Sequence, residues 1–187
     1  EVVYVAGDAR TSRGDLTGES HAWNAVRVDG TWGLVDVTWD AGYVDGDRFV
    51  KRYRTSWFLA PPEVFGVDHF PEEASWQLRD PALDRGAFFR QPVLAPGFRA
   101  AGLELLAPAR SHVSVAGPFA IAVRNPRHTS LLHEASGGPC AARTEGDVWH
   151  LVCDLPPGGA TTVKLFESPD PAATHDWVGQ LEATRTP

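Results

Sequence analysis

The chain has 187 residues, of which 43% are hydrophobic and 22% are charged, and its formal net charge is −7. This composition excludes wholesale disorder, and the length provides for one large domain or two small ones. No apolar run approaches the ~20 residues of a membrane-spanning helix, and the scattered basic residues argue against nucleic-acid binding. Two cysteines are too few for a disulfide framework or a zinc module. Methionine is absent even at position 1, so we expect a processed product or a fragment.

The composition changes near residue 90, which indicates two domains. Residues 1–90 contain five of the seven tryptophans, whereas residues 91–187 alternate short apolar runs with Gly and Pro turns. The segment 91–97 (Gln-Pro-Val-Leu-Ala-Pro-Gly) predicts a linker, because two prolines and a glycine discourage both helix and strand pairing. We therefore expect domain boundaries at 1–90 and 91–187.

The first half begins with a predicted strand and is dominated by one hairpin. In chain order the predicted elements are a strand (Glu1–Ala6), a polar loop (Gly7–Glu19), a hairpin (21–39), a polar stretch (Asp40–Asp47), a strand (Arg48–Leu59), a helical turn (Pro61–Phe65) and a short helix (Asp80–Phe89). The hairpin is the clearest signal, because two β-rich runs flank an Asp-Gly pair that is typical of a type I′ turn.

The register of this hairpin brings two ionisable residues onto one face. With the Asp-Gly pair at the centre of the turn, His21 faces Thr38 and Asp36 faces Trp23. His21 and Asp36 are then diagonal neighbours with backbones ~7–8 Å apart, a gap that a side-chain hydrogen bond can close. A carboxylate-oriented histidine is the base half of a nucleophilic triad. A His and an Asp on one face of a hairpin are, however, often only solvated polar residues.

Neighbouring residues favour a functional interpretation of the pair. The large side chains of Trp23, Trp32 and Trp39 are expected around the pair, so this face of the hairpin is not expected to be simply hydrated. Asp36 interrupts an otherwise apolar strand, and a carboxylate in such a place needs a partner. Tyr4 lies on the strand that leads toward the pair, where it could line the site or simply pack.

The second half is predicted to contain only strands. Turn signals recur every ~8–12 residues, which is typical of a β-sandwich of immunoglobulin-like kind. The predicted strands are Leu103–Leu106, Val113–Val115, Phe119–Arg124, Ser130–His133, Pro139–Arg143, Val148–Asp154, Thr161–Phe166 and Val178–Thr184. The fold class that we expect for the whole chain is α+β with β-structure dominant.

The two cysteines flank one of these predicted hairpins. If Thr144 faces Trp149, Cys140 lies opposite Cys153, and either a cross-strand disulfide or two buried free thiols would fit. Cys140 as a nucleophile is disfavoured, because no carboxylate is placed to orient a neighbouring histidine.

Two further clusters of polar residues carry weaker signals. Asp40, Asp45 and Asp47 are spaced by glycines as in a calcium loop, but the closing glutamate is missing, which favours a solvated loop. Asp68 and His69 could form a second acid–base pair.

Several motifs in residues ~1–90 resemble the transglutaminase-like superfamily, and in particular its kyphoscoliosis-peptidase branch. They are His21-Ala22-Trp23-Asn24-Ala25-Val26, Asp29-Gly30-Thr31-Trp32, Val35-Asp36-Val37-Thr38-Trp39, Trp57-Phe58-Leu59 with Pro61 and Phe65, Asp68-His69-Phe70-Pro71 and Trp76-Gln77-Leu78. The resemblance implies the C-terminal part of a papain-related, antiparallel-sheet domain, followed by an immunoglobulin-like β-sandwich. It also implies that Asp68-His69 is a structural turn that packs Phe70.

The resemblance further implies a function and the residues that carry it. In that family a cysteine attacks a carbonyl, a hairpin histidine matching His21 exchanges the proton, and an aspartate matching Asp36 orients the histidine. Trp23 would wall the site. The family's nucleophile lies N-terminal to the strand that Glu1–Ala6 resembles, so we expect it outside this chain.

The resemblance also bears on cofactors and partners. It calls for no metal or organic cofactor, although some relatives bind calcium. The expected partners are a protein or peptide substrate and the missing N-terminal segment or a partner chain. The alternative hypothesis is a non-catalytic scaffold or protein-interaction module.

Overall fold

A computed structural model describes residues 1–10 and 18–187, and these residues form two compact units, Glu1–Phe89 and Arg90–Pro187. The structure is rich in β-strands, as the sequence predicted, and most of the strand pairs are antiparallel. Among the described residues, the helices are all too short or too polar to cross a membrane.

The first unit is built on a five-stranded antiparallel sheet with the strand order β6-β3-β2-β1-β7. Its elements are β1 (Val2–Ala9), β2 (Glu19–Val28), β3 (Thr31–Val35), α1 (Val37–Ala41), β4 (Gly42–Asp45), β5 (Arg48–Lys51), β6 (Phe58–Ala60), α2 (Pro62–Phe65), β7 (His69–Pro71), a 3₁₀ turn (Ala74–Gln77) and α3 (Arg85–Arg90). The strands β4 and β5 pair separately as a small hairpin.

One face of the five-stranded sheet carries the core of the first unit. Because side chains alternate along a strand, every second residue of β1 and β2 points to that face. The buried members of this apolar cluster are Val5, Trp23, Ala25, Leu34, Trp57 and Phe65. The helical turn α2 contributes Phe65 to this core, which confirms the helical turn predicted there.

The structure confirms the turn of the predicted hairpin, but the second strand of the hairpin is shorter than predicted. Asp29 and Gly30 have φ angles of 49° and 82°, as a type I′ turn requires, and pairing runs from Val28↔Thr31 to Asn24↔Val35. The prediction that the second strand continues to Trp39 was wrong. The strand ends at Val35, because the next residue caps a helix instead of extending the ladder.

Other boundaries in the first unit also differ from the sequence prediction. The first strand continues to Ala9 and the second begins at Glu19, so the predicted polar loop is shorter, and its residues 11–17 lie outside the described part of the chain. The predicted strand over 48–59 is two short strands, β5 and β6, separated by residues that bond to α1. The predicted helix near the end of the unit begins five residues late, at Arg85.

The second unit is a sandwich of two sheets. Its elements are β8 (Val93–Leu94), α4 (Pro96–Ala100), β9 (Glu104–Ala107), β10 (His112–Val115), β11 (Phe119–Arg124), β12 (Ser130–Ala135), β13 (Cys140–Glu145), β14 (Val148–Cys153), β15 (Ala160–Ser168) and β16 (Asp176–Arg185). One sheet has the order β13-β14-β11-β9, and the other has the order β10-β16-β15-β12, with β8 also pairing with β16. Only the β10–β16 pair is parallel among the described strands.

Apolar side chains from both sheets fill the sandwich. Phe119, Ile121 and Leu151 of one sheet pack in the same buried cluster as Val163 and Leu181 of the other. Each strand predicted from the sequence overlaps an observed strand. Residues 91–97, which were predicted as a linker, instead belong to this unit, because β8 pairs with β16 and Pro96 begins α4 at a position where its missing N–H is not needed.

The two cysteines form a disulfide in the second unit. Cys140 lies opposite Cys153 across β13 and β14, in the register predicted from the sequence, and the two sulfur atoms are bonded. Of the two alternatives left open by the sequence, the structure therefore has the cross-strand disulfide.

Candidate functional site

The side chains of His21 and Asp36 meet on one face of the first unit's sheet. The His21 Nε2 atom lies 2.6 Å from the Asp36 Oδ2 atom, so the predicted hydrogen bond is present. It forms by a different route from the one predicted, because Asp36 no longer belongs to the ladder and reaches His21 from the start of α1. The Asp36 side chain is 1% exposed and that of His21 is 17% exposed.

Asp36 is held in place by its role at the beginning of a helix. Its Oδ1 atom accepts hydrogen bonds from the backbone N–H groups of Thr38 and Trp39, at 2.9 and 3.0 Å. An aspartate at the N-cap satisfies N–H groups that have no partner within the helix. One carboxylate oxygen is therefore used for structure, and the other faces the histidine.

A second buried carboxylate, that of Asp40, secures the same helix to the following loop. Its Oδ1 atom accepts from the backbone N–H of Trp57 at 3.1 Å, and the Trp57 carbonyl in turn accepts from the N–H of Asp36. Burial raises the pKa of Asp40 above its ordinary value, and the Trp57 N–H opposes this effect. The expectation of a solvated aspartate loop was thus wrong for Asp40, although Asp45 and Asp47 are exposed.

His69 is a third member of the cluster, and its place there was not predicted from the sequence. Its Nε2 atom lies 3.0 Å from the Asp36 Oδ2 atom, and its Nδ1 atom lies 3.2 Å from the carbonyl oxygen of Phe65. His69 pairs with Ala9 in the sheet, while His21 pairs with Gly7 two residues earlier on the same strand. Both histidines therefore project from the same face, on either side of β1.

Two alternatives were open for Asp68-His69, a second acid–base pair or a structural turn that packs Phe70. The structure agrees with the second alternative only in part. His69 bonds to Asp36 and to the Phe65 carbonyl, so its carboxylate partner comes from another element of the unit. Phe70 does pack against the domain, with its ring centroid 5.2 Å from that of Phe88. In the sequence, His69 is marked only by its position in a short apolar run after α2. Such a run does not specify that the partner of His69 is Asp36, which lies 33 residues away.

Aromatic rings enclose the cluster. Trp39 stacks on the His21 ring with centroids 5.2 Å apart, and Trp23 lies edge-on to His69 at 5.0 Å. Trp23 is buried, and its indole N–H has no hydrogen-bond partner among the described residues. Its ring passes so close to Gly7 that a Cβ atom there would lie 2.6 Å from the ring, so glycine is required at that position.

The hydrogen bonds determine the charge state of the carboxylate. Burial of Asp36 disfavours its ionised form, but the bonds from His21, His69 and the Trp39 N–H outweigh burial and hold the pKa of Asp36 well below its ordinary value. For His69 burial is the dominant influence, and it lowers the pKa of the imidazole even though Asp36 opposes the shift. Asp36 is thus the stable negative charge of the cluster.

The structure brings together most but not all of the residues selected from the sequence. His21, Asp36, Trp23 and Trp39 converge, whereas Tyr4 pairs with Asn24 and so points to the opposite face of the sheet, where it is 71% exposed. The donor atoms of His21, Asp36 and His69 lie within 4.8 Å of one another, close enough to share one cation. The arrangement can therefore orient a base, or bind an ion.

No protein-family model matches the chain. Part of the chain is similar to curated proteins of two kinds. It is 42% identical over 81 residues to the kyphoscoliosis peptidase of Mus musculus and 45% identical over 81 residues to that of Homo sapiens. It is also 31% identical over 83 residues to the Lim and transglutaminase domain protein ltd-1 of Caenorhabditis elegans.

These similarities cover 38–42% of this chain and 12% of each relative. The chain therefore spans only a small part of the length of the curated relatives that it matches. Over the matched segment, the chain has a transglutaminase-like relationship.

Proposed function

We propose that the first unit supplies the histidine and the aspartate of a cysteine-dependent acyl-transfer or peptidase centre. In this proposal it is the C-terminal part of a transglutaminase-like domain, and the second unit is an immunoglobulin-like sandwich that contributes no catalytic group. The observation that carries the proposal is the 2.6 Å contact between His21 Nε2 and Asp36 Oδ2, made by a buried carboxylate that is fixed by a helix cap.

The orientation of the His21 ring decides which nitrogen could act as a base. Because an ionised carboxylate only accepts hydrogen bonds, His21 Nε2 carries the proton and His21 Nδ1 keeps its lone pair. Stacking on Trp39 holds the ring in this orientation. The imidazolium formed when Nδ1 takes up a proton would be stabilised by Asp36.

The nucleophile would come from a segment outside these 187 residues, since both cysteines of the chain are bonded to each other. A thiol would transfer its proton to His21 Nδ1, and the thiolate would attack the carbonyl carbon of a glutamine amide or a peptide. Collapse of the tetrahedral intermediate would return the proton to the leaving amine and leave a thioester. Water or an amine would then attack the thioester, giving up its proton through His21 and releasing the thiol.

The test is to assay amine incorporation and peptide cleavage with residues 1–187 alone and with the upstream coding segment added. We expect no thiol-dependent turnover from the isolated chain, and turnover sensitive to iodoacetamide from the extended protein. His21→Gln in the extended protein should reduce kcat by roughly 10³-fold or more, because it removes the base of the triad.

His150→Gln is the matched control, since His150 also faces a carboxylate, that of Glu145, but lies on the sandwich. It should leave the activity unchanged. Iodoacetamide-sensitive turnover by residues 1–187 alone, or full activity of the His21→Gln protein, would contradict the proposal.

A second candidate function is a non-catalytic protein-interaction module. The observation that favours it is the β4–β5 hairpin, on which the cross-strand pair Val44 and Phe49 is exposed although both side chains are large and apolar. Exposed apolar clusters of this kind are typical of protein-binding surfaces. An extended protein without turnover whose binding of a peptide partner is lost on Val44→Asp and Phe49→Asp, and retained on His21→Gln, would support this function over the first.

A further inference from the structure

We propose that His21, Asp36 and His69 form a binding site for a divalent transition-metal ion of the zinc class. The His21 Nε2 and His69 Nε2 atoms lie 2.6 and 3.0 Å from the same oxygen, Asp36 Oδ2. Two imidazole nitrogens and one carboxylate oxygen form a donor set that suits Zn²⁺ and neighbouring first-row ions. The ion would bind whether or not a nucleophile completes the centre.

The hydrogen-bond partners of His69 favour a cation at this place. One ring nitrogen faces the Phe65 carbonyl and the other faces Asp36, and both partners only accept hydrogen bonds. A neutral imidazole has a single N–H and satisfies one of them. Whichever nitrogen carries the proton, the other nitrogen presents its lone pair to an acceptor. A metal ion bound at Nε2, with the proton on Nδ1, would satisfy both sides of the ring at once.

The same contacts resemble the surroundings of known metal ligands. A metal-binding histidine almost always donates its other N–H to a carbonyl or a carboxylate, which fixes its orientation. The Phe65 carbonyl is in that position for His69. Asp36 is oriented in a comparable way, since its Oδ1 atom accepts from the N–H groups of Thr38 and Trp39 and its Oδ2 atom faces both histidines.

Burial defines the direction from which an ion would approach. The side chains of His69 and Asp36 are 0% and 1% exposed, whereas that of His21 is 17% exposed. The accessible side of the cluster is therefore the His21 side. If the proposed function is correct, the ion would compete with it, because coordination of His21 Nε2 removes the hydrogen bond that orients the base. This consequence rests on the proposed function, whereas metal binding itself does not.

Calorimetric titration of residues 1–187 with zinc chloride tests the site, with the disulfide intact so that no thiol competes. We expect one ion per chain. His21→Gln should weaken binding by more than the ~10–100-fold typical of losing a residue that only orients a ligand, because it removes a ligand itself. His150→Gln and His112→Gln remove surface histidines that face Glu145 and Glu182, and they should leave the affinity unchanged.

Ring ¹⁵N spectra of the wild-type chain provide a readout that does not depend on the folding of a variant. On addition of zinc, the Nε2 signals of His21 and His69 should shift together while His69 Nδ1 stays protonated. Equal zinc affinity of the wild-type and His21→Gln chains would overturn the proposal. It would also be overturned if both nitrogens of His69 stay protonated and their signals do not respond to zinc.

Discussion

The two units differ in what they bury. Among the described residues, the buried ionisable side chains are those of Arg10, Asp36, Asp40 and His69, and all four belong to the first unit. The buried polar residues of the second unit are uncharged: Asn125, Thr161, Ser168 and Gln180. Its apolar cluster is also larger, with 14 buried members against six in the first unit.

This contrast separates two ways of stabilising a β-rich unit. The second unit depends on apolar packing between two sheets and on a disulfide, which together need no specific charge state. The first unit places charged groups inside a small core, and each group needs a hydrogen-bonded partner to offset its desolvation. Perturbed, buried ionisable groups are typical of functional sites, so the contrast locates the candidate chemistry in the first unit.

The largest expected effect comes from Asp36→Ala. The substitution removes the partner of two imidazoles and the cap of α1, and breaking a buried pair typically costs ~3–5 kcal/mol of the free energy of unfolding. Denaturant unfolding monitored by residue-resolved hydrogen exchange should show the loss in the first unit only. Glu104→Ala, which breaks an exposed pair with Arg124, should cost less than about 1 kcal/mol. An equal loss of unfolding free energy in Asp36→Ala and Glu104→Ala would contradict the expected difference between the two units.

Removal of the disulfide should produce the complementary result. Cys140→Ser with Cys153→Ser opens a loop with a sequence separation of 13 residues, which typically costs ~2–4 kcal/mol. Hydrogen exchange should accelerate in β13 and β14 while the ring signals of His21 and His69 keep their positions. A change in those ring signals would show that the sandwich influences the cluster.

Gly7→Ala should destabilise the first unit by ~1–3 kcal/mol, the usual cost of overpacking. A Cβ atom at this position would lie 2.3 Å from the Phe70 carbonyl oxygen and 2.6 Å from the Trp23 ring. Gly117→Ala is the matched control in the second unit, because a Cβ atom there meets nothing within 4 Å. The control should change the free energy of unfolding by less than about 0.5 kcal/mol.

The smallest effect is a difference in pH dependence. Since burial lowers the pKa of His69, the folded chain binds fewer protons than the unfolded chain below the ordinary histidine pKa of ~6.5. Stability of the metal-free first unit should therefore fall as the pH decreases from ~6.5, by at most ~1.4 kcal/mol per pH unit. Asp36, whose pKa is also lowered, adds a second loss below its unfolded pKa of ~3.9.

Unit-resolved hydrogen exchange between pH 8 and pH 5 measures this difference. Exchange from the core of the first unit should accelerate toward pH 5 beyond the intrinsic change, and exchange from β14 and β15 should not. His69→Gln should abolish the slope in the first unit. A slope of the same size in that variant would assign the effect to another group.

Local patterns predicted the fold well where each strand follows its own periodicity. The sandwich strands and the Asp29-Gly30 turn are of this kind, because alternation and turn chemistry are encoded within a few residues. At Asp36 these local patterns predicted the wrong strand boundary. A β-rich run predicted a strand to Trp39, but capping by the Asp36 side chain ended the strand, and this competition is decided by tertiary contacts to Trp57 and His21.

The candidate site was predictable in part for the same reason. His21 lies on β2 and Asp36 directly follows β3, so the predicted hairpin brought them near each other even though Asp36 caps α1 and does not extend the ladder. His69 reaches Asp36 through a separate strand on the other side of β1, and Asp40 is buried by its bond to Trp57. These contacts join residues that no short sequence window relates, and sequence patterns alone do not specify them.

The double use of the Asp36 carboxylate has a consequence for how related chains would diverge. Under the proposed function, a related chain that has lost catalysis would still need an aspartate at position 36, because one oxygen of Asp36 caps α1 and the other faces His69. The hydrogen bond described for the His21 side chain is the one to Asp36, and it caps no helix. We therefore expect substitutions at position 21 to appear before substitutions at position 36. In a set of relatives, the residue at position 21 would therefore distinguish active members from inactive ones, and the residue at position 36 would not.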